Sequence, residues 1–264
     1  MKKALVLILA LLVAETLSAP RGRESLGVAI SRTRIGGASE VGELIIFPLQ
    51  APHDGIRVGG TGLTNVGSMD FFDGVLWVAS ERDEELKFYT VDLTNAKTVH
   101  VSTFAHKFSD KVVSAGAFDD DGNYWVSDMR RKALYVIDPT TGELIEKIST
   151  PVTTNGIEII GDTIYAVRGG SGDPAQEFGT IDGATGKFTL IGYTRVGKEG
   201  KGGGNGSGGL DFDYRTNTMY LVYRKGIEPG QRWSLYTVDL NSGAASFVGK
   251  ISPERNYDAF AVVP

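Results

Sequence analysis

Apolar and polar positions alternate along this chain in short runs, and the runs come in sets of four. Each set opens on a similar stretch: Met69-Asp70-Phe71, Ala117-Phe118, Ile157-Glu158-Ile159, Leu210-Asp211-Phe212 and Ala259-Phe260 recur at intervals of about 40 to 53 residues. A second β-rich run follows in Val75-Leu76-Trp77-Val78, Tyr124-Trp125-Val126, Ile164-Tyr165-Ala166-Val167 and Met219-Tyr220-Leu221-Val222. Between the two lie Asp73-Gly74, Asp121-Gly122-Asn123, Gly161-Asp162 and Thr216-Asn217, residue types that accept the positive φ of tight hairpins. Period-two alternation bounded by such turns predicts strands joined as hairpins.

A third run ends on an aspartate in register, at Asp92, Asp138, Asp182 and Asp239, and a turn then leads to a fourth run such as Leu144-Ile145-Glu146-Lys147-Ile148. An aspartate at the head of a turn accepts backbone N–H bonds, so these four read as structural. Four strands per period is the pattern of a β-propeller blade. Residues Leu26 to Gly60 supply three strands without an opening one, and Tyr257 to Val263 supply an opening strand with no blade behind it. Joined, they complete a ring. The expectation is an all-β, five-bladed β-propeller, five blades rather than six, closed by pairing the C-terminal strand with the N-terminal blade.

Three stretches, Gly209-Leu210-Asp211-Phe212-Asp213, Thr218-Met219-Tyr220-Leu221-Val222 and Leu235-Tyr236-Thr237-Val238-Asp239-Leu240-Asn241-Ser242-Gly243, resemble the degenerate repeats of secreted bacterial propellers of the YVTN, NHL and gluconolactonase groups. The resemblance covers roughly residues 26 to 264 and implies the architecture. Gluconolactonase-like propellers hold a divalent metal through a Glu, two Asn and an Asp along the axis, and that full set is not found here. Streptogramin lyase-like propellers use a catalytic His, whereas His53, His100 and His106 fall in or beside turns and outer strands. Neither activity transfers residue by residue.

In a four-stranded meander, the first-to-second and third-to-fourth connections share one face of the disc, and the remaining connections share the other. The first set is short and stereotyped; the second is long and irregular, the distribution expected where loops carry function. On that irregular face the second strands end near Arg32, Arg82, Arg130, Arg168 and Arg224, one per blade, and the inner strands are entered past Asn65, Asn155 and Asn256, with Trp233 at the edge of a long loop. Guanidiniums set among amides suit a carboxylate, a phosphate or an acidic glycan. The competing reading pairs each arginine with a nearby acid. Asp70, Glu158 and Asp211 share one inner-strand position, where Ala117 and Ala259 stand in the other blades; acids so close to the axis are costly to bury without partners. They are candidates for an oxygen-ligand site for a divalent cation or for acid–base chemistry, or else they meet arginines and backbone donors of a neighbouring blade.

Charge and composition narrow the choice. The 264 residues carry a formal charge of −5 and no cysteine, which excludes a disulfide framework, a thiolate metal site and a cysteine nucleophile, and argues against nucleic acid as a partner. Gly204 to Gly209 matches a dinucleotide-type glycine spacing, but it precedes a strand rather than a helix. Lys2 and Lys3 ahead of the apolar run Ala4 to Ala14 make residues 1–19 a signal peptide, leaving residues 20–264 as one domain, secreted or periplasmic, without a membrane span. The function expected is an exported, monomeric recognition module that binds a protein, a glycan or an anionic small molecule on the irregular face. The alternatives are a metal-dependent propeller hydrolase, lactonase or lyase, and a structural envelope protein.

Overall fold

The computed structural model describes residues 24–35, 38–82, 85–105, 113–128, 131–168, 176–196, 207–224, 233–252 and 256–264. The first blade contains β1 (Leu26–Ile35), β2 (Ala38–Pro48) and β3 (Ile56–Gly60). The second runs through β4 (Val66–Phe72), β5 (Val75–Arg82), β6 (Glu85–Val91) and β7 (Thr98–Phe104). The third runs through β8 (Val113–Phe118), β9 (Tyr124–Asp128), β10 (Ala133–Asp138) and β11 (Glu143–Ser149), and the fourth through β12 (Gly156–Ile160), β13 (Thr163–Arg168), β14 (Glu177–Ile181) and β15 (Phe188–Tyr193). The fifth comprises β16 (Ser207–Asp213), β17 (Thr218–Arg224), β18 (Trp233–Val238) and β19 (Ala245–Lys250). β20 (Asn256–Val262) returns to the first blade and pairs antiparallel with β1, Val28 opposite Ala261 and Gly27 opposite Val262. The inner strands β4, β8, β12, β16 and β20 adjoin one another in a closed ring. The chain is a five-bladed β-propeller.

Its apolar core is divided among the five gaps between blades. The cluster of Leu26, Val28, Ile30 and Leu44 with Met69, Leu76 and Val78 fills the gap between the first and second blades. Ala29, Ile45 and Phe47 with Tyr220, Val222 and Leu235 fill the gap between the first and the fifth. Each sheet is thus buried on both faces, which is why its strands read as mixed apolar runs as well as clean alternations. Trp77 meets Phe118 of the next blade edge to face at 5.9 Å.

At the outer edge every blade has a bulge in its fourth strand, at Val58, Val101, Ile145, Ile191 and Val248, which adds the twist a blade needs at the rim. The third-to-fourth turns also clasp the preceding blade. Ser102 donates its hydroxyl proton to the Pro139 carbonyl at 2.6 Å, and at the closure the Ser252 amide donates to the Pro52 carbonyl at 3.0 Å. The expected turn aspartates head these clasps, and Asp138 Oδ1 accepts from both the amide and the hydroxyl of Thr140. Hydroxyl donors at Thr140, Thr185 and Ser242 hold Asp138, Asp182 and Asp239 below the usual carboxylate range.

Gly186 shows how tight the clasp is. Its φ is +68°, and a Cβ there would stand 2.0 Å from the Ser149 carbonyl oxygen of the third blade. Gly161 has a similar φ of +55° but open space around it. Gly186→Ala is therefore expected to destabilise by about 2–4 kcal/mol and Gly161→Ala by about 1 kcal/mol, read from urea midpoints. Equal losses would show that the clasp carries no packing strain.

Candidate functional site

The inner strands place Asp70, Glu158 and Asp211 around the axis, with carboxylate oxygens within 4.8 Å of one another. They are 8%, 4% and 5% exposed. Their placement follows from the strand pairings. Asp70 stands opposite Trp77, Glu158 opposite Tyr165 and Asp211 opposite Tyr220. Ala117, opposite Trp125, holds the same position in the third blade. In the first blade that position belongs to Ala261, not to the expected Ala259: a bulge at Asp258, matching the one at Gly67, sets Ala259 level with Ser68 and Ala261 level with Asp70.

Hydrogen bonding divides the three acids. Asp70 accepts from the Phe71 amide at 2.6 Å through Oδ1 and from the Phe118 amide of the third blade at 2.7 Å through Oδ2. Asp211 repeats the arrangement, accepting from the Phe212 amide at 2.5 Å and from the Val262 amide of the first blade at 2.7 Å. Each aspartate leans over a neighbour whose ring position is alanine, Ala117 or Ala261, because only a small side chain leaves that amide open. Glu158 faces Asp211 instead, and the Phe212 amide is already taken. Glu158 accepts no hydrogen bond from the described residues, and its longer side chain lines the axial cavity. Asp70 and Asp211 take donors from a neighbouring blade, while Glu158 has neither an arginine nor an amide partner among the described residues.

Burial pushes the Asp70 carboxyl up to about 7 against the pull of its two amide bonds. Burial, reinforced by the charges of Asp211 and Asp70, raises Glu158 well above the usual range. For Asp211, burial and then the Asp70 charge outweigh the amides of Val262 and Phe212.

The acids form the floor of a cavity of about 520 Å³, whose walls include Phe72, Phe118, Phe212 and Tyr214 and whose rim carries Asp73, Asp119, Asp120 and Asp213. Arg215 is the only cationic side chain that lines it among the described residues. Tyr214 is 63% exposed, yet its ring is fixed: the hydroxyl donates to the Ile159 carbonyl at 3.0 Å, and the ring meets Phe212 edge-on at 5.0 Å. On the other side of the acids the axis narrows to a void of about 10 Å³ bounded by Gly67, Gly116, Gly156 and Gly209. The cavity therefore opens on the face of the short hairpins, not on the irregular face. Asp119 is used as a turn cap, accepting from the amides of Asp121 and Asn123 and from the Trp125 indole.

Of the residues nominated on the irregular face, Arg168 lies opposite Glu177, donates to its carboxylate and sits 4.7 Å from the Phe188 ring centre, so it is engaged within its own blade. Arg130 lies outside the described residues. Arg32, Arg82, Arg224 and Asn256 are placed in strands β1, β5, β17 and β20, and their side chains also fall outside what is described. Asn65 takes a φ of 53° and accepts the Glu81 amide on its carbonyl, and the Asn155 amide donates to the Val167 carbonyl. Trp233 is 6% exposed and packs edge-on to Tyr257 inside the core between the first and fifth blades.

No family model matches the chain, and no curated protein sequence does. Solved structures match in fold. A protein of unknown function from Bacteroides caccae aligns at a TM-score of 0.55 with 11% identity, over 91% of this chain and 99% of that one. TolB from Acinetobacter baumannii aligns at 0.51 with 14% identity, over 97% of this chain and 71% of that one. A hydrazine synthase chain from Kuenenia stuttgartiensis aligns at 0.45 with 17% identity, and this chain, 72% covered, spans 50% of its length. At such identities the likeness to the first two is one of architecture. Among the described residues no helix is long and apolar enough to cross a membrane.

Proposed function

We propose that this protein is an exported recognition propeller that binds a positively charged ligand in the axial cavity of its hairpin face. The observation that carries the reading is Glu158, 4% exposed, without a hydrogen-bond donor among the described residues, on the floor of a cavity whose walls hold seven acids (Asp70, Asp73, Asp119, Asp120, Glu158, Asp211 and Asp213) and one arginine. A buried carboxylate without a donor costs free energy, and a cation in the cavity offsets that cost. The same field repels anions, so a carboxylate or phosphate ligand does not suit this face. Export is the reading of Lys2, Lys3 and the apolar run behind them.

The test is equilibrium binding of calcium chloride, of spermidine and of citrate to the wild type and to the triple variant D70N/E158Q/D211N. A cation is expected to bind the wild type and not the variant, and citrate neither. Binding of citrate alone, or of no probe, would overturn the reading. The size of the cavity favours a second reading, since about 520 Å³ beside the carboxylates accommodates a small substrate and so suits metal-dependent hydrolysis or lyase chemistry. Lactone and ester hydrolysis that needs a divalent ion and disappears in E158Q would establish it.

A further inference from the structure

We infer that the seat between Asp70, Glu158 and Asp211 is built for one hard divalent metal ion of about calcium's size, a deepening that rests on the cation reading above. Buried carboxylates this close must lose their charge, to protons when no metal is bound or to a shared ion. A shared proton draws two oxygens to hydrogen-bond distance, about 2.5–2.7 Å. No hydrogen bond joins any two of these three side chains, and one oxygen from each lies within 4.8 Å of the others, close enough for a single ion at about 2.4 Å from each.

The donor set fits the same ion. All three donors are carboxylate oxygens, the chain has no cysteine, and oxygen-only sets select hard cations over zinc or copper. Two of the three are pre-positioned. The amide bonds from Phe71 and Phe118 fix both oxygens of Asp70, those from Phe212 and Val262 fix both oxygens of Asp211, and each oxygen keeps a lone pair for the axis. Glu158, more than nine-tenths buried and accepting no hydrogen bond from the described residues, closes the third side. Ala117 and Ala261 complete the ring without filling its centre. Ionised together, the three carboxylates would carry more charge than four amide dipoles neutralise, with no cationic side chain beside them among the described residues, and a divalent ion supplies the missing positive charge. Among the described residues the wide cavity meets the seat on the hairpin side, which leaves the outward positions of the ion to water or to a ligand oxygen.

The experiment uses the full chain stripped with a chelator. Calorimetric titration with calcium, magnesium and manganese chlorides is paired with thermal unfolding, and spermidine serves as an organic cation. One ion per chain is expected, with a rise in melting temperature, and E158Q should weaken binding about tenfold or more while remaining folded by circular dichroism. D211N, whose amide can still meet the Val262 and Phe212 amides only in part, serves as a second variant. Spermidine binding without any metal binding would overturn the divalent seat and leave the cation reading standing. Metal binding unchanged in both variants, or no response to any cation, would overturn the seat as well.

Discussion

Removal of the final eight residues, 257–264, is expected to abolish cooperative unfolding. They carry the inner strand of the first blade, and Tyr257, Ala259, Phe260, Ala261, Val262 and Val263 are all buried, at 4% exposure or less. At about 1.5–3 kcal/mol for each large apolar side chain, the loss is on the order of 10 kcal/mol, comparable to the whole stability of a typical domain. The truncation also uncovers the edge of β1 and strips Asp211 of the Val262 amide. Calorimetry or denaturant titration of the truncated chain checks it. A sharp transition with the wild-type midpoint would mean that the ring does not depend on its latch.

The second large effect is on pH. Asp70 is raised by burial to about 7, so between roughly pH 4 and pH 7 the folded chain keeps a proton that the unfolded chain has released. Stability of the metal-free protein therefore falls as the pH rises through that window, by on the order of 4 kcal/mol from Asp70 alone, and the loss is complete above pH 7. Glu158, raised by burial and by the Asp211 and Asp70 charges, and Asp211, raised by burial and by the Asp70 charge, act in the same direction. The expected result is a melting temperature in chelator that is higher near pH 5 than near pH 8, with a shallower slope in E158Q. Calcium added at pH 8 should recover the lost stability. A chelated protein that becomes steadily more stable from pH 5 to pH 8 would contradict the buried, unneutralised triad.

The ring was legible from the chain because each blade repeats the same local chemistry. Asp92, Asp138, Asp182 and Asp239 mark one turn four times, and those turns form as the side chains dictate. The orphan runs at the two ends likewise pointed to a blade built from both. The register of β20 was not legible. Ala259-Phe260 and Ala261-Val262 both fit the inner-strand pattern, and a slip of two residues leaves every side chain on its original face. The bulge at Asp258 in the pairing with β1 and the Val262 amide bonded to Asp211 distinguish them.

The working face was harder still. Long loops drew attention to the arginines, whereas the cavity lies under short hairpins, among residues such as Asp73 and Asp213 that look like ordinary turn formers. Convergence of Asp70, Glu158 and Asp211 follows from three separate blades meeting at the axis, which no local window contains. Tyr214 gave no signal in advance: nothing in the run Asp213-Tyr214-Arg215 announces that its hydroxyl crosses to the Ile159 carbonyl of another blade.

The strand order has a consequence for the life of the nascent chain. β20 lies at the hub of the first blade, so it emerges from the ribosome after the other nineteen strands of the described residues and must slot in between β1 and the inner strands on either side. Until then β1 has a free inner edge and the circle has a gap. A chain latched by β20 cannot close its circle until translation has delivered that strand, and it then sets into a rigid wheel.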